Sequence, residues 1–273
     1  MVLDPVTLLL QILLMFGVAF MYSNLGLGGG LLFVPILLAT GVSDPILAAP
    51  ISLALTTMTA ASSVINHRRK GFVDFRIGRT LVIGTLFGAV LGTYAHIGFV
   101  GKDAFKIIFI IILVTFGTLM VRDWVRDARP VDENDDSKMT PKRVGETTAT
   151  MVGSGFLSGL AGVGGGLLNV PLIIFLLGRK TRVAIGTSSF LIVPTAALGF
   201  SLYVLGRYLG SSAFTWPEEF ILIPILMPSV FVGALLGSRL GLAKLKTRSV
   251  SLIFILVIFV AAVQILLDIA GVL

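Results

Sequence analysis

Nearly the whole chain consists of long apolar runs separated by short polar loops, and that pattern leaves it few ways to fold. Uncharged or nearly uncharged stretches occupy about residues 5–24, 28–40, 45–66, 77–99, 104–121, 145–161, 164–178, 183–206, 217–238 and 249–270. Several reach the roughly 20 residues that an α-helix needs to cross a hydrocarbon core. Hydrophobic residues make up 56% of the 273 and charged residues only 13%, with a mean hydropathy of +1.01. That is too apolar for a soluble domain, so the expected fold is an all-α polytopic membrane protein. The opening "MVLDPVTLLL" carries an acid and no Lys or Arg, and no small-residue cleavage site follows it. The first segment is therefore expected to remain in the mature protein.

The net charge of +7 does not point to nucleic acid, because the basic residues fall in loops, where membrane orientation accounts for them. The loops around Arg68, Arg122, Arg179 and Arg239 hold 18 of the 21 Lys and Arg. Lys102, Lys106 and Arg207 occupy the alternate loops. With the basic loops in the cytoplasm, 45–66 runs inward, 77–99 outward and 104–121 inward, whereas 183–206, 217–238 and 249–270 run in the opposite senses. Both termini then lie outside the cell, in a multi-pass protein of the cytoplasmic membrane.

One segment occurs twice: "GLGGGLLFVPIL" at 26–37 and "GVGGGLLNVPLI" at 162–173. At the same offset of 136, Gly17, Phe20, Ala48 and Ser52 match Gly153, Phe156, Ala184 and Ser188, and at an offset of 145 "GAVLGT" from Gly88 matches "GALLGS" from Gly233. Residues 5–40 begin and end outside and 145–178 begin and end inside, so each copy sits at the bend of a helical hairpin that is re-entrant or steeply tilted. The expectation is two inverted-topology repeats, 1–122 and 144–273, each a glycine-bend hairpin followed by three transmembrane helices. The acidic and basic stretch 123–143 reads as a solvated cytoplasmic linker. Inverted repeats with glycine-interrupted segments point to a secondary transporter whose site lies near the midplane.

Unpaired backbone is tolerated at membrane depth only inside protein or beside water, so the bends must face inward. Helices beginning near Gly30 and Gly166 would aim free N–H groups at the bend, which favours an anion by about 0.3–1 kcal/mol and up to about 2 kcal/mol when partly buried. The candidate binding set is Gly26, Gly28, Gly29 and Gly30 with Gly162, Gly164, Gly165 and Gly166. Pro35 and Pro171 would keep the following arms short or kinked. Ser52 and Thr56 on one neighbouring helix and Ser188 on its counterpart would complete the site, and Asn24 and Asn169 are added because a buried amide needs a partner. The alternative reading of glycine clusters is close helix packing, and of membrane Ser and Thr, bonding to a helix backbone.

The chain lacks cysteine, a Ser-His pair, a paired-carboxylate site and histidines at metal-ligand spacing, so no enzyme, metal or cofactor is expected. "GLGGGLL" puts Leu31 where a dinucleotide fingerprint needs its third glycine. No Asp, Glu, Lys or Arg lies well inside a run, so an obvious carboxylate proton relay is missing. His96 is expected at the outer membrane interface and His67 at the basic edge.

On the doubled motif, at Gly26–Leu37 and Gly162–Ile173, and the flanking helices around a polar middle loop, the chain resembles the sulfite exporter TauE/SafE family, also described as the toluene-sulfonate uptake permease family. The resemblance implies movement of sulfite, sulfonates or other organosulfur anions across the cytoplasmic membrane, often as export. The reading is a secondary transporter working by alternating access, with the anion held by paired glycine-rich helix N-termini. An anion channel or a permease for another carboxylate or sulfonate stays open, as does a non-transporting scaffold. The partners expected are a small anion and membrane lipid, with proton coupling and homo-oligomerisation open.

Overall fold

The structure, a computed structural model, describes residues 4–42, 44–125, 133–209 and 217–240, with four isolated positions between 259 and 266. The predicted last run, the C-terminus and residues 126–132 of the linker lie outside the described residues or nearly so. Among the described residues there are helices and no strands. They are α1 (Pro5–Tyr22), α2 (Gly30–Ala39), α3 (Pro45–Arg69), α4 (Phe75–Phe99), α5 (Lys102–Val125), α6 (Pro141–Ala161), α7 (Gly166–Leu177), α8 (Thr181–Leu209) and α9 (Leu222–Leu240). Each corresponds to one apolar run.

Polar caps decide where several of these helices start. Asp4, Asp44, Asp74 and Thr140 accept from amides in the first turns of α1, α3, α4 and α6, and α1, α3 and α6 also carry proline at the first helical position, where no N–H is missed. Five described helices are long and apolar enough to cross a membrane: α1, α3, α4, α8 and α9. The chain is thus a multi-pass membrane protein. In the hairpins the second arms are short. With 10 residues in α2 and 12 in α7, they extend about 15 and 18 Å. The first arms, with 18 residues in α1 and 21 in α6, reach about 27 and 32 Å.

The helices pack in pairs that exchange under the repeat. α4 lies along α6 and α9 along α1, while α3 packs on α9 and α8 on α4, with α3 and α8 against each other at the centre. Glycines make these approaches close. A Cβ at Gly84, Gly88 or Gly92 of α4 would strike the carbonyls of Thr148, Val152 and Phe156, and one at Gly233 or Gly237 of α9 those of Phe16 and Phe20. "GAVLGT" and "GALLGS" are therefore the matching small-residue faces of two equivalent seams. Gly186 meets Phe72, Gly78 meets Phe190, Thr195 bonds Thr85 and Gly206 meets Ile97, so α4 and α8 run in the same direction. Because α3 leads into α4 through a tight turn, α3 and α8 run antiparallel.

The basic loops gather at one end of the bundle. Arg179 after α7 pairs with Asp74 before α4 at 3.5 Å and with Asp136 of the linker at 3.0 Å, and Lys70 Nζ donates to Ser238 O at 2.7 Å. The opposite end carries the Lys102–Asp44 pair at 3.2 Å. The described part of the linker is exposed at residues 133–137 and also bonds the end of α7: Asp135 N donates to Gly178 O at 2.8 Å and Lys180 N to Asn134 Oδ1 at 3.0 Å. The cause is local, since the last carbonyls of α7 need donors and the linker backbone supplies one.

Candidate functional site

The glycine bends replace side-chain caps with backbone geometry. Gly29 and Gly165, the residues that precede α2 and α7, have φ of 94° and 72°, and neither helix start has a side-chain cap bond. Only glycine holds that left-handed conformation without strain, and it turns each chain back toward the centre of the bundle, where the two bends meet.

Their meeting is reciprocal. Ser52 Oγ on α3 donates to Gly162 O at 2.7 Å, and Ser188 Oγ on α8 donates to Gly26 O at 2.7 Å. A Cβ at Gly166 would lie 2.5 Å from Gly26 O, and one at Gly30 would overlap Gly162 O and Val163. Gly26 backs onto the Ile185 backbone and Gly162 onto that of Ala49. Every one of these pairs maps onto its partner at the offset of 136. Thus Ser52 and Ser188 hold the bends in place, and Gly26, Gly30, Gly162 and Gly166 let two backbones touch.

At the middle of the crossing sits Thr56. Its methyl lies 2.9 Å from a Cβ built at Gly28 and 2.5 Å from one at Gly164, and its repeat-mate Ile192 lies against the same two glycines. Thr56 is fully buried, yet its hydroxyl has no hydrogen-bond partner. Its neighbours behave differently, Thr57 donating to Leu53 O at 2.8 Å and Thr59 to Leu55 O at 2.9 Å, the usual outlet for a helix threonine. An unpaired buried hydroxyl costs about 1–3 kcal/mol, so this one is poised for a partner.

The remaining predicted residues scatter. Gly29 faces the ring of its own helix's Phe33, and Gly165 faces Ser154. Pro35 and Pro171 lie inside α2 and α7, beyond the bends, where a missing N–H leaves an α-helical carbonyl one turn back without its usual donor. Asn24 turns back onto α1, its Nδ2 donating to Phe20 O at 3.1 Å. Asn169 is buried against Ser154, whose Oγ lies 2.5 Å from Asn169 Oδ1 and 2.8 Å from Gly165 O. One hydroxyl has one proton for two acceptors, so the amide is better read flipped, with its nitrogen donating to Ser154.

Ser154 was missed because its repeat-mate is Val18. With Gly165, Ile112, Phe116 and Leu167 it lines a cavity of ≈ 10 Å³, room for about one water. His96 lies near the end of α4. It is 1% exposed, because α5, α6 and α8 close over the end of α4. Among the described residues no three His, Cys, Asp or Glu come together as a metal site.

Removing either serine hydroxyl leaves a buried carbonyl unpaired. Ser52→Ala and Ser188→Ala are each expected to cost about 1–3 kcal/mol, read as a lowered unfolding midpoint of the purified protein, with similar losses for the two.

The sequence profile of the family described as "Sulfite exporter TauE/SafE" matches residues 11–265. A "Probable membrane transporter protein YunE" of Bacillus subtilis is 27% identical, covering 90% of this chain and 92% of its own. A "Probable membrane transporter protein" of Xylella fastidiosa strain 9a5c is 31% identical, covering 88% and 89%. A relative from Methanocaldococcus jannaschii, also described as a probable membrane transporter protein, is 24% identical over 86% of each chain. No solved structure matches the chain.

Proposed function

Because the chain belongs to the sulfite exporter TauE/SafE family of membrane transporters, we propose that it moves a small sulfur-containing anion, a sulfite or sulfonate, out across the cytoplasmic membrane. Its two halves act as inverted repeats. The antiparallel course of α3 and α8 and the exchanged bonds of Ser52 and Ser188 support that arrangement, since a two-fold axis that reverses helix direction lies in the membrane plane.

The anion is held at the crossing of the bends. The buried, unpartnered hydroxyl of Thr56, whose methyl packs against Gly28 and Gly164, carries this reading. Two helices start there with their amide ends toward the same point, and an oxyanion would accept from those amides and from Thr56. Gly30 and Gly166 pack too tightly to admit it without movement, so the bends must part, and each parting toward one face gives one half of an alternating cycle.

Thr56→Val tests this reading, because it keeps the shape and deletes a hydroxyl that has no partner to lose. Flux of sulfite, sulfoacetate and acetate is measured in proteoliposomes. Saturable, sulfur-selective flux is expected from the wild type and at least about a tenfold loss in the variant, equal to about 1.4 kcal/mol, with the unfolding midpoint preserved. Equal flux in the two proteins rejects the site. A bulky residue at Gly29 or Gly165 is a poorer probe, because positive φ would strain the bend itself.

A further inference from the structure

The chain has two histidines, and both are tied to a carbonyl near the end of a hairpin's first arm. His67 Nε2 lies 3.0 Å from Ser23 O after α1, and His96 Nδ1 lies 2.7 Å from Leu160 O near the end of α6. In each ring the other nitrogen is buried and has no partner. Tyr203, the repeat-mate of His67, donates to Gly159 O at 2.8 Å in the second half. His96 has no such counterpart, since Gly241 stands at the position matching it on the "GAVLGT" offset. It is an addition to one bend.

We propose that His96 is a proton-binding site whose occupancy controls the opening of the second glycine bend; this rests on the transport reading and names its coupling ion. The bond to Leu160 O requires the proton on Nδ1, which leaves Nε2 a bare acceptor in the neutral ring. The first turn of α3, with the Ile46 backbone and the Asp44 carboxylate, faces the ring. When a proton from water at this end of the bundle adds to the Nε2 lone pair, the ring gains a charge and a second donor. It then bridges Leu160 to the first turn of α3.

That bridge spans the bend. The same helix presses its Ala49 backbone on Gly162 and bonds Gly162 O through Ser52. Protonated His96 therefore clamps both sides of the bend, and neutral His96 holds only one. The carbonyl end of α6 favours a cation there.

The charged surroundings separate the two histidines. Around His96 stand Asp44, paired with Lys102 of α5, then Asp103 and Lys106 in the first turns of α5, and the Tyr203 ring on α8 at 4.9 Å. Arg207 follows four residues later on α8, and α6 has no ionisable residue between Glu146 and its end. His67 instead adjoins Arg68, Arg69 and Lys70 on its own helix and Arg239 on α9, with no acid in the arm that it bonds. An anion faces the first ring and cations surround the second.

With two histidines, the imidazole nitrogens of the full chain in nanodiscs can be followed by NMR against pH, His96→Asn and His67→Asn identifying each signal. Asparagine at 96 keeps a donor for Leu160 O and cannot titrate. The signal lost in His96→Asn is expected to change protonation as the pH is lowered. Flux of sulfoacetate, which unlike sulfite keeps its charge near neutral pH, should vary over the same range in the wild type and in His67→Asn, and be flat in His96→Asn. A His96 signal that does not titrate overturns the proposal, and so does an unchanged pH profile of flux in His96→Asn. A wild type that moves none of these anions defeats the transport reading instead, while the NMR titration still judges the proton site.

Discussion

Gly30→Val and Gly166→Val should each abolish recovery of folded protein. Neither position has a positive φ, so backbone preference is not at stake and the whole effect is steric. Their side chains would enter the Gly162–Val163 backbone in one case and the Gly26–Leu27 backbone in the other. Flexible side chains can move aside, but these atoms belong to bends held by Ser188, Ser52 and the backbones of α3 and α8. Overpacking typically costs about 1–3 kcal/mol and more where the backbone cannot yield, against a total stability of about 5–15 kcal/mol. Gly17→Val and Gly153→Val are the matched controls. They belong to the same repeat, yet nothing lies within 4 Å of either Cβ, so yield and unfolding midpoint should stay near those of the wild type. If Gly30→Val and Gly166→Val unfold like the controls, the bends do not touch as described.

Gly88→Leu is expected to separate α4 from α6 and leave the protein aggregated or degraded on extraction. Lipid tails solvate an apolar helix as well as a neighbouring helix does, so association rests on close van der Waals fit. Here the fit is interleaved: Gly88 meets Val152 O and the Phe156 amide, while Gly155 and Gly159 of the facing helix meet Thr85 and Ala89. A leucine would push the axes apart along the whole seam and forfeit contacts worth several kcal/mol in aggregate. Gly98→Leu, on the same helix with nothing within 4 Å, should extract normally. Size-exclusion profiles of the two variants decide the matter, and a monodisperse Gly88→Leu protein would contradict the seam.

Helix positions were legible from the continuous apolar runs, and the Asp or Thr caps that begin several of them in the structure agree. The duplication was legible too, since Gly26–Pro35 and Gly162–Pro171 align residue by residue. What the letters could not convey is that three consecutive glycines do three different things. Gly28 accommodates Thr56, Gly29 lies under Phe33, and Gly30 touches the opposite bend. Those assignments depend on where other helices arrive. Ser154 was hidden by the repeat itself, because Val18 occupies its place in the other half. Thr56 was a candidate from its helical spacing with Ser52, but the missing partner of its hydroxyl was not legible, because that depends on tertiary packing. The burial of His96 was not legible, because it comes from α5, α6 and α8, elements remote from it in sequence or across a turn.

The short second arms have an electrical meaning. Since α2 and α7 extend about half the thickness of a hydrocarbon core of about 30 Å, an ion held at the proposed site where they begin would have traversed about half of the membrane voltage. A full crossing is worth about 2.3 kcal/mol per charge at 100 mV, so a monovalent anion at the bends feels about 1.2 kcal/mol, an approximately sevenfold bias in occupancy between the polarised and depolarised membrane. With an interior-negative potential, that bias would drive an anion outward from the proposed site.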